Sequence, residues 1–203
     1  MKRLFFIILI LFVNISFCDA KLGNEDRFNI APQTEMSMSE KATLYYGDNN
    51  TEEAFQQILK IKEYERTPQD WLLLGNILQD NNKNTDAAFM YNRAITIDKT
   101  YYKAYYNLAN IYFEENKFNL AIKNYKLSLK YNDKFSYAYY NLGCTYLELG
   151  MTKQAKTAFI RAIGIKNNIP EFHYNLAYVY KKLGKEKLAK QYLENYNQLL
   201  LNN

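Results

Sequence analysis

Apolar residues fall three and four positions apart from about Pro68 to the end of the chain, and the pattern returns every 34 residues, four times. Trp71, Tyr105, Tyr139 and His173 open the copies, and Leu74, Leu108, Leu142 and Leu176 follow three positions on. Gly75, Ala109, Gly143 and Ala177 come next, then Leu78, Tyr112, Tyr146 and Tyr180, which completes one amphipathic helix. Half a copy later Ala87, Ala121, Ala155 and Ala189 start a second helix. It continues through Tyr91, Tyr125, Phe159 and Leu193 to Ala94, Ser128, Ala162 and Tyr196. Asn82, Asn116, Gly150 and Gly184 stand between the two, and these residue types tolerate the left-handed backbone of a helix end. A period of this length predicts stacked helical hairpins.

The spacing Trp71-x2-Leu74-Gly75-x2-Leu78 with Ala87-x3-Tyr91 resembles the tetratricopeptide repeat pattern, and the resemblance covers residues 68 to 203. It implies an all-α, right-handed α-solenoid of about four hairpins, 68–101, 102–135, 136–169 and 170–203. Residues 41–66 form a degenerate half-repeat that caps the amino-terminal side, with Ala54, Ile58 and Ile61 at helical spacing and a short helix around Leu44 and Tyr45. Thr67, Pro68 and Asp70 predict a capped helix start. Asn168, Ile169 and Pro170 repeat that logic, and Ser136 is expected to cap the first helix of the third hairpin. Seven glycines and three prolines in 203 residues suit continuous helices.

Residues 1–20 place Lys2 and Arg3 before an apolar run from Leu4 to Val13, the layout of a secretory signal peptide. Three processing routes stay open. A signal peptidase cuts after Ala20; or Ile15-Ser16-Phe17-Cys18 acts as a lipobox, with the bulky Phe17 where a small residue is expected, and Cys18 is lipidated; or the run stays as an anchor. Residues 21–40 are polar and lack a helical period, so they read as a flexible tether. Cys144 is the remaining cysteine, expected as a small buried apolar residue. The net charge of +5 is mild and its lysines are intermixed with acids, which gives no reason to propose nucleic acid.

In the family resembled, the first helix of each hairpin lines a concave face. The stripe expected there holds Lys103, Tyr106, Asn107 and Asn110 in hairpin two, Tyr140 and Asn141 in hairpin three, and Tyr174, Asn175 and Tyr178 in hairpin four. A carboxamide can bond both the N–H and the C=O of an extended peptide. Asn107, Asn141 and Asn175 are similar to the asparagine ladder in the superhelix of the O-linked N-acetylglucosamine transferase. The alternative is a structural column that satisfies backbone groups of the neighbouring hairpin. Tyr196, Leu200 and their apolar neighbours leave an open face on the last helix, a second interface expected to serve partners or self-association.

His173 is the single histidine and stands in the packing column of Trp71, Tyr105 and Tyr139, so neither a metal site nor catalysis is expected, and no cofactor. The favoured reading is a non-catalytic interaction scaffold of the bacterial cell envelope, holding an extended segment of another exported protein. Two further readings remain: a glycan-binding module using the same aromatic groove, and an architectural subunit of an envelope machine bound through its carboxyl-terminal end.

Overall fold

The computed structural model describes residues 36–201, and these residues hold ten α-helices and no strand. The leader, the lipidation site at Cys18 and most of the expected tether lie outside them. The chain divides between Glu65 and Arg66 into two compact units.

In the first unit, α1 (Met38–Gly47) and α2 (Thr51–Lys60) form a complete short hairpin where half a repeat was expected. A single 3-10 turn follows at Glu63–Glu65. The tether therefore ends earlier than residue 40: Ser37 accepts from the backbone N–H of Glu40, and the Glu40 carboxylate accepts from the N–H of Ser37, a capping box that starts α1. Ala42 and Ile58 are fully buried against this hairpin's interior. Asn49 takes φ 63° at the turn.

The second unit stacks four hairpins. They are α3 (Pro68–Asp80) with α4 (Asn84–Ile97), α5 (Tyr102–Glu114) with α6 (Phe118–Tyr131), α7 (Ser136–Glu148) with α8 (Thr152–Ile165), and α9 (Pro170–Lys182) with α10 (Glu186–Leu201). Each hairpin turns on one left-handed residue: Asn82 (φ 59°), Asn116 (φ 58°), Gly150 (φ 70°) or Gly184 (φ 69°). The next N–H then closes back on the carbonyl five residues earlier, as in Lys83 to Leu78 and Met151 to Tyr146 at 2.9 and 2.8 Å. Thr67 and Asp70 make the expected capping box of α3. The other two starts differ. Ile169 precedes Pro170 without a side-chain cap, and Ser136 is a buried first residue of α7 behind the cap position Phe135, with its hydroxyl not used for capping.

Packing runs through the predicted columns. Tyr91, Tyr125 and Phe159 are fully buried, as are Ala87, Ala121 and Ala155. A Cβ built on Gly143 would stand 2.7 Å from Cε1 of Phe159, and one on Gly75 would overlap the Tyr91 ring, so the glycines let a large ring from the second helix lie against the first. His173 is buried, with Nε2 2.8 Å from the carbonyl of Asn167 and its ring near Tyr192. Among the described residues no helix is long and apolar enough to cross a membrane.

Candidate functional site

The first helices of the four hairpins are joined by a row of side-chain hydrogen bonds. Asn107 donates through Nδ2 to Oδ1 of Asn76 at 2.7 Å. Asn141 donates to the hydroxyl of Tyr106 and to Oδ1 of Asn110, both at 3.0 Å. Asn175 donates to the hydroxyl of Tyr140 at 2.8 Å and faces the sulfur of Cys144 at 3.7 Å. Each asparagine thus reaches back to the preceding hairpin, 31 and 35 positions earlier in the chain.

The second helices add to the row from behind. The hydroxyl of Tyr91 donates to Oδ1 of Asn76 at 2.8 Å, and that of Tyr125 donates to Oδ1 of Asn110 at 2.6 Å. Asn76, Asn110 and Cys144 occupy equivalent positions, 34 residues apart. In the third hairpin the acceptor asparagine has become Cys144 and the tyrosine has become Phe159, so the hydroxyl and its acceptor are lost together. A buried phenol without an acceptor would cost about 1–3 kcal/mol, which explains the paired change.

This geometry corrects part of the exposed stripe. Tyr106, Asn110 and Asn141 are buried, at 7%, 7% and 8% exposure. Tyr106 packs edge-on against Phe135 at 4.8 Å between centroids, and its hydroxyl is occupied by Asn141. Tyr140, half-buried, stacks on Phe172 at 4.8 Å. The tyrosines lie between hairpins because α7 and α9 bring Phe135 and Phe172 up against them. Lys103, Asn107, Asn175 and Tyr178 are half-buried and Tyr174 is exposed, so these five keep access to solvent.

Burial governs the electrostatics of the row. It pushes the Tyr106 hydroxyl up to about 12 and the Cys144 thiol up to about 12. It holds the hydroxyls of Tyr125 and Tyr140 well above the usual tyrosine range. All four groups are therefore neutral near pH 7, and Cys144 has little thiolate character. No cluster of three or more His, Cys, Asp and Glu side chains suited to a metal occurs among the described residues.

On the last helix, Tyr196 is half-buried with its ring 5.2 Å from that of Tyr174, while Leu193, Leu200 and Leu201 are exposed. The participation of Asn76, Tyr91, Tyr125 and Cys144 in the row was missed from sequence. The signal that could have found it is the second 34-residue column of Asn76, Asn110 and Cys144, one helical turn beyond Leu72, Tyr106 and Tyr140.

In fold the chain resembles the crystal structure of MamA, with a TM-score of 0.71 at 21% identity over 83% of this chain and 98% of that one. It also resembles pilF of Pseudomonas aeruginosa, with a TM-score of 0.74 at 20% identity over 79% of this chain and 74% of that one. A further MamA structure, from MSR-1, gives 0.65 at 19% identity over 81% and 95%. No protein of curated function matches the sequence significantly. Profiles described as tetratricopeptide repeat match residues 71–101, 136–169 and 170–199, and again 90–123, and one described as TPR repeat matches 109–150. With the period, the turns and the stacked hairpins all in register, the chain belongs to the tetratricopeptide repeat family.

Proposed function

We propose that the chain is a non-catalytic scaffold of the bacterial cell envelope that holds an extended segment of a protein partner along its first-helix face. One observation carries this reading. Tyr106 and Tyr140 each accept a hydrogen bond from the asparagine of the next hairpin, whereas the equivalent Tyr174 is 38% exposed and makes no such bond among the described residues. A carboxamide or backbone N–H of a partner fits that place. Tyr178 lies one turn on, with the Lys182 ammonium 5.0 Å from its ring centre, and adds aromatic contact. Asn107, Asn175 and Lys103 extend the contact along the stack, while Tyr106, Asn110, Tyr140 and Asn141 hold it in shape. Export is supported by Lys2 and Arg3 ahead of the apolar run.

In-cell crosslinking with co-purification tests the reading, comparing the natural chain with a Tyr174→Ala, Tyr178→Ala double variant. Partners retained undiminished by the variant would remove the first-helix face as the binding site. Fractionation of the same cells tests the envelope location, and recovery in the cytosol alone would refute it. A second reading, attachment through α10, is favoured by the exposure of Leu200 (50%) and Leu201 (86%); in that case Leu200→Lys rather than Tyr174→Ala abolishes the crosslinks.

A further inference from the structure

In three of the four hairpins, a side chain from the second helix covers the first-column residue. In hairpin one the Arg93 guanidinium lies 4.9 Å from the centre of the Trp71 ring. In hairpin two Tyr131 stacks on Tyr105 with centroids 5.7 Å apart. In hairpin four Tyr192 sits 5.9 Å from His173 and 5.5 Å from Tyr180, between the two rings. In hairpin three the positions equivalent to Tyr131 and Tyr192 hold Ile165 and Ala158, and among the described residues no aromatic ring packs on Tyr139.

Two clefts flank Tyr139 as a result. One, of about 440 Å³, is lined by Tyr139, Leu142, Tyr146 and Ala158 together with Lys153 and Arg161. The other, of about 380 Å³, shares Tyr139 and Arg161 and reaches Asp133 and Ile165. The larger cleft is the seat that Tyr192 fills in hairpin four, left empty of a ring because Ala158 is small. The Thr157 hydroxyl in its lining donates to the Lys153 carbonyl, but three other polar groups there are uncommitted among the described residues. Tyr105 donates its hydroxyl to the carbonyl of Lys99 and His173 bonds that of Asn167, but Tyr139 makes no equivalent bond among the described residues. Lys153 and Arg161 are exposed, and neither forms an ion pair there. The cleft therefore suits an aromatic side chain with carboxylates beside it.

The chain itself presents such a group. In the turn Glu63–Glu65, Tyr64 is 80% exposed between two glutamates; the Lys62 ammonium lies 5.7 Å from its ring centre and 3.8 Å from a Glu65 carboxylate oxygen, an exposed and therefore weak ion pair that the contact exchanges for the cleft's cations. We propose that the hairpin-three cleft receives Glu63-Tyr64-Glu65 of a second copy, with the Tyr64 ring between Tyr139 and Tyr146 and the carboxylates on Arg161 and Lys153. Donor and acceptor surfaces differ, so a single contact leaves one copy with a free cleft and the other with a free tyrosine. These two sites either close on each other within the dimer or take up further copies. The cleft uses Tyr139, Leu142 and Tyr146 of α7, a different stripe from Tyr140, Asn141 and Cys144, so this inference stands or falls separately from the first-helix face.

Analytical ultracentrifugation of the naturally processed chain, at up to about 1 mM, provides the test with two complementary variants. Tyr64→Ala keeps the cleft and loses the tyrosine; Ala158→Tyr keeps the tyrosine and fills the cleft as hairpin four does. The natural chain is expected to form dimers or larger species with rising concentration, and each variant alone to associate at least about tenfold more weakly. An equimolar mixture of the two is expected to recover a one-to-one dimer and nothing larger. A structural effect of either substitution cannot produce that recovery. Arg161→Glu, a change at an exposed site, replaces Ala158→Tyr should the latter unfold, and weakens association to the same degree. A natural chain that is monomeric throughout overturns the proposal, whatever other protein is found on the cleft. So does association that ignores both variants, or a mixture that stays monomeric.

Discussion

A methyl group on Gly143 would press on three atoms of the Phe159 ring, which is itself fully buried and has nowhere to move. Gly143→Val is therefore expected to destabilise by about 1–3 kcal/mol through overpacking, read as a drop of roughly 2–10 °C in melting temperature. Gly143→Ala should be milder, because Ala109 holds the equivalent place in hairpin two. An unchanged melting temperature for the valine variant would contradict the close approach of α7 and α8. Single residues also show where sequence reading works well. The left-handed turn at Asn82, Asn116, Gly150 and Gly184 was legible because few residue types tolerate that conformation. The start of α7 was not: Ser136 has a capping side chain, yet the helix begins one residue earlier than that role needs, and its hydroxyl is buried.

At the level of the helices, the junction asparagines Asn141 and Asn175 differ in what they hold. Asn141 uses both amide hydrogens on buried oxygen acceptors, whereas one of the contacts of Asn175 is to a sulfur at 3.7 Å. Asn141→Ala removes the donor to the buried Tyr106 hydroxyl and leaves Oδ1 of Asn110 with Tyr125 alone, and should cost about 1–3 kcal/mol. Asn175→Ala should cost visibly less. Urea midpoints of the two variants check this order, and equal losses would show that the row does not bear on stability as its distances imply. Helix positions and register were readable from the 34-residue columns, since periodic burial is what creates them. The buried state of Tyr106 and Asn141 was not, because it depends on Phe135, at a place that Tyr101 and Ile169 hold in the neighbouring hairpins, and on bonds that the asparagine columns bring within reach without showing that they form. The first hairpin, whose two helices were expected, was read as a degenerate half-repeat for another reason. Its turn at Asn49 is 33 residues before Asn82, one short of the period, and its helices are only 10 residues each.

Over the whole molecule, twenty tyrosines make the fold sensitive to alkali. Tyr101 and Tyr106 are pushed up to about 12 by burial, and Tyr125 and Tyr140 are raised as well. In the unfolded chain these phenols ionise near about 10. Between those limits the folded state keeps protons that the unfolded state releases, so stability is intact below about pH 10 and falls as pH rises towards 12. Helical circular dichroism is expected to collapse in that window in step with the tyrosinate absorbance of these residues. Complete tyrosinate formation with the helices still intact would show that the rings are reachable in the fold. The junction row has a mechanical consequence too. Two buried bonds tie hairpins two and three, while hairpin one is held to hairpin two by a part-buried bond at Asn76 and an exposed one from Asn84 to Glu114, and hairpin four partly through sulfur. The junction of hairpins two and three is thus the one whose two ties are both shielded from water, and within the second unit it is expected to be the last to open under tension.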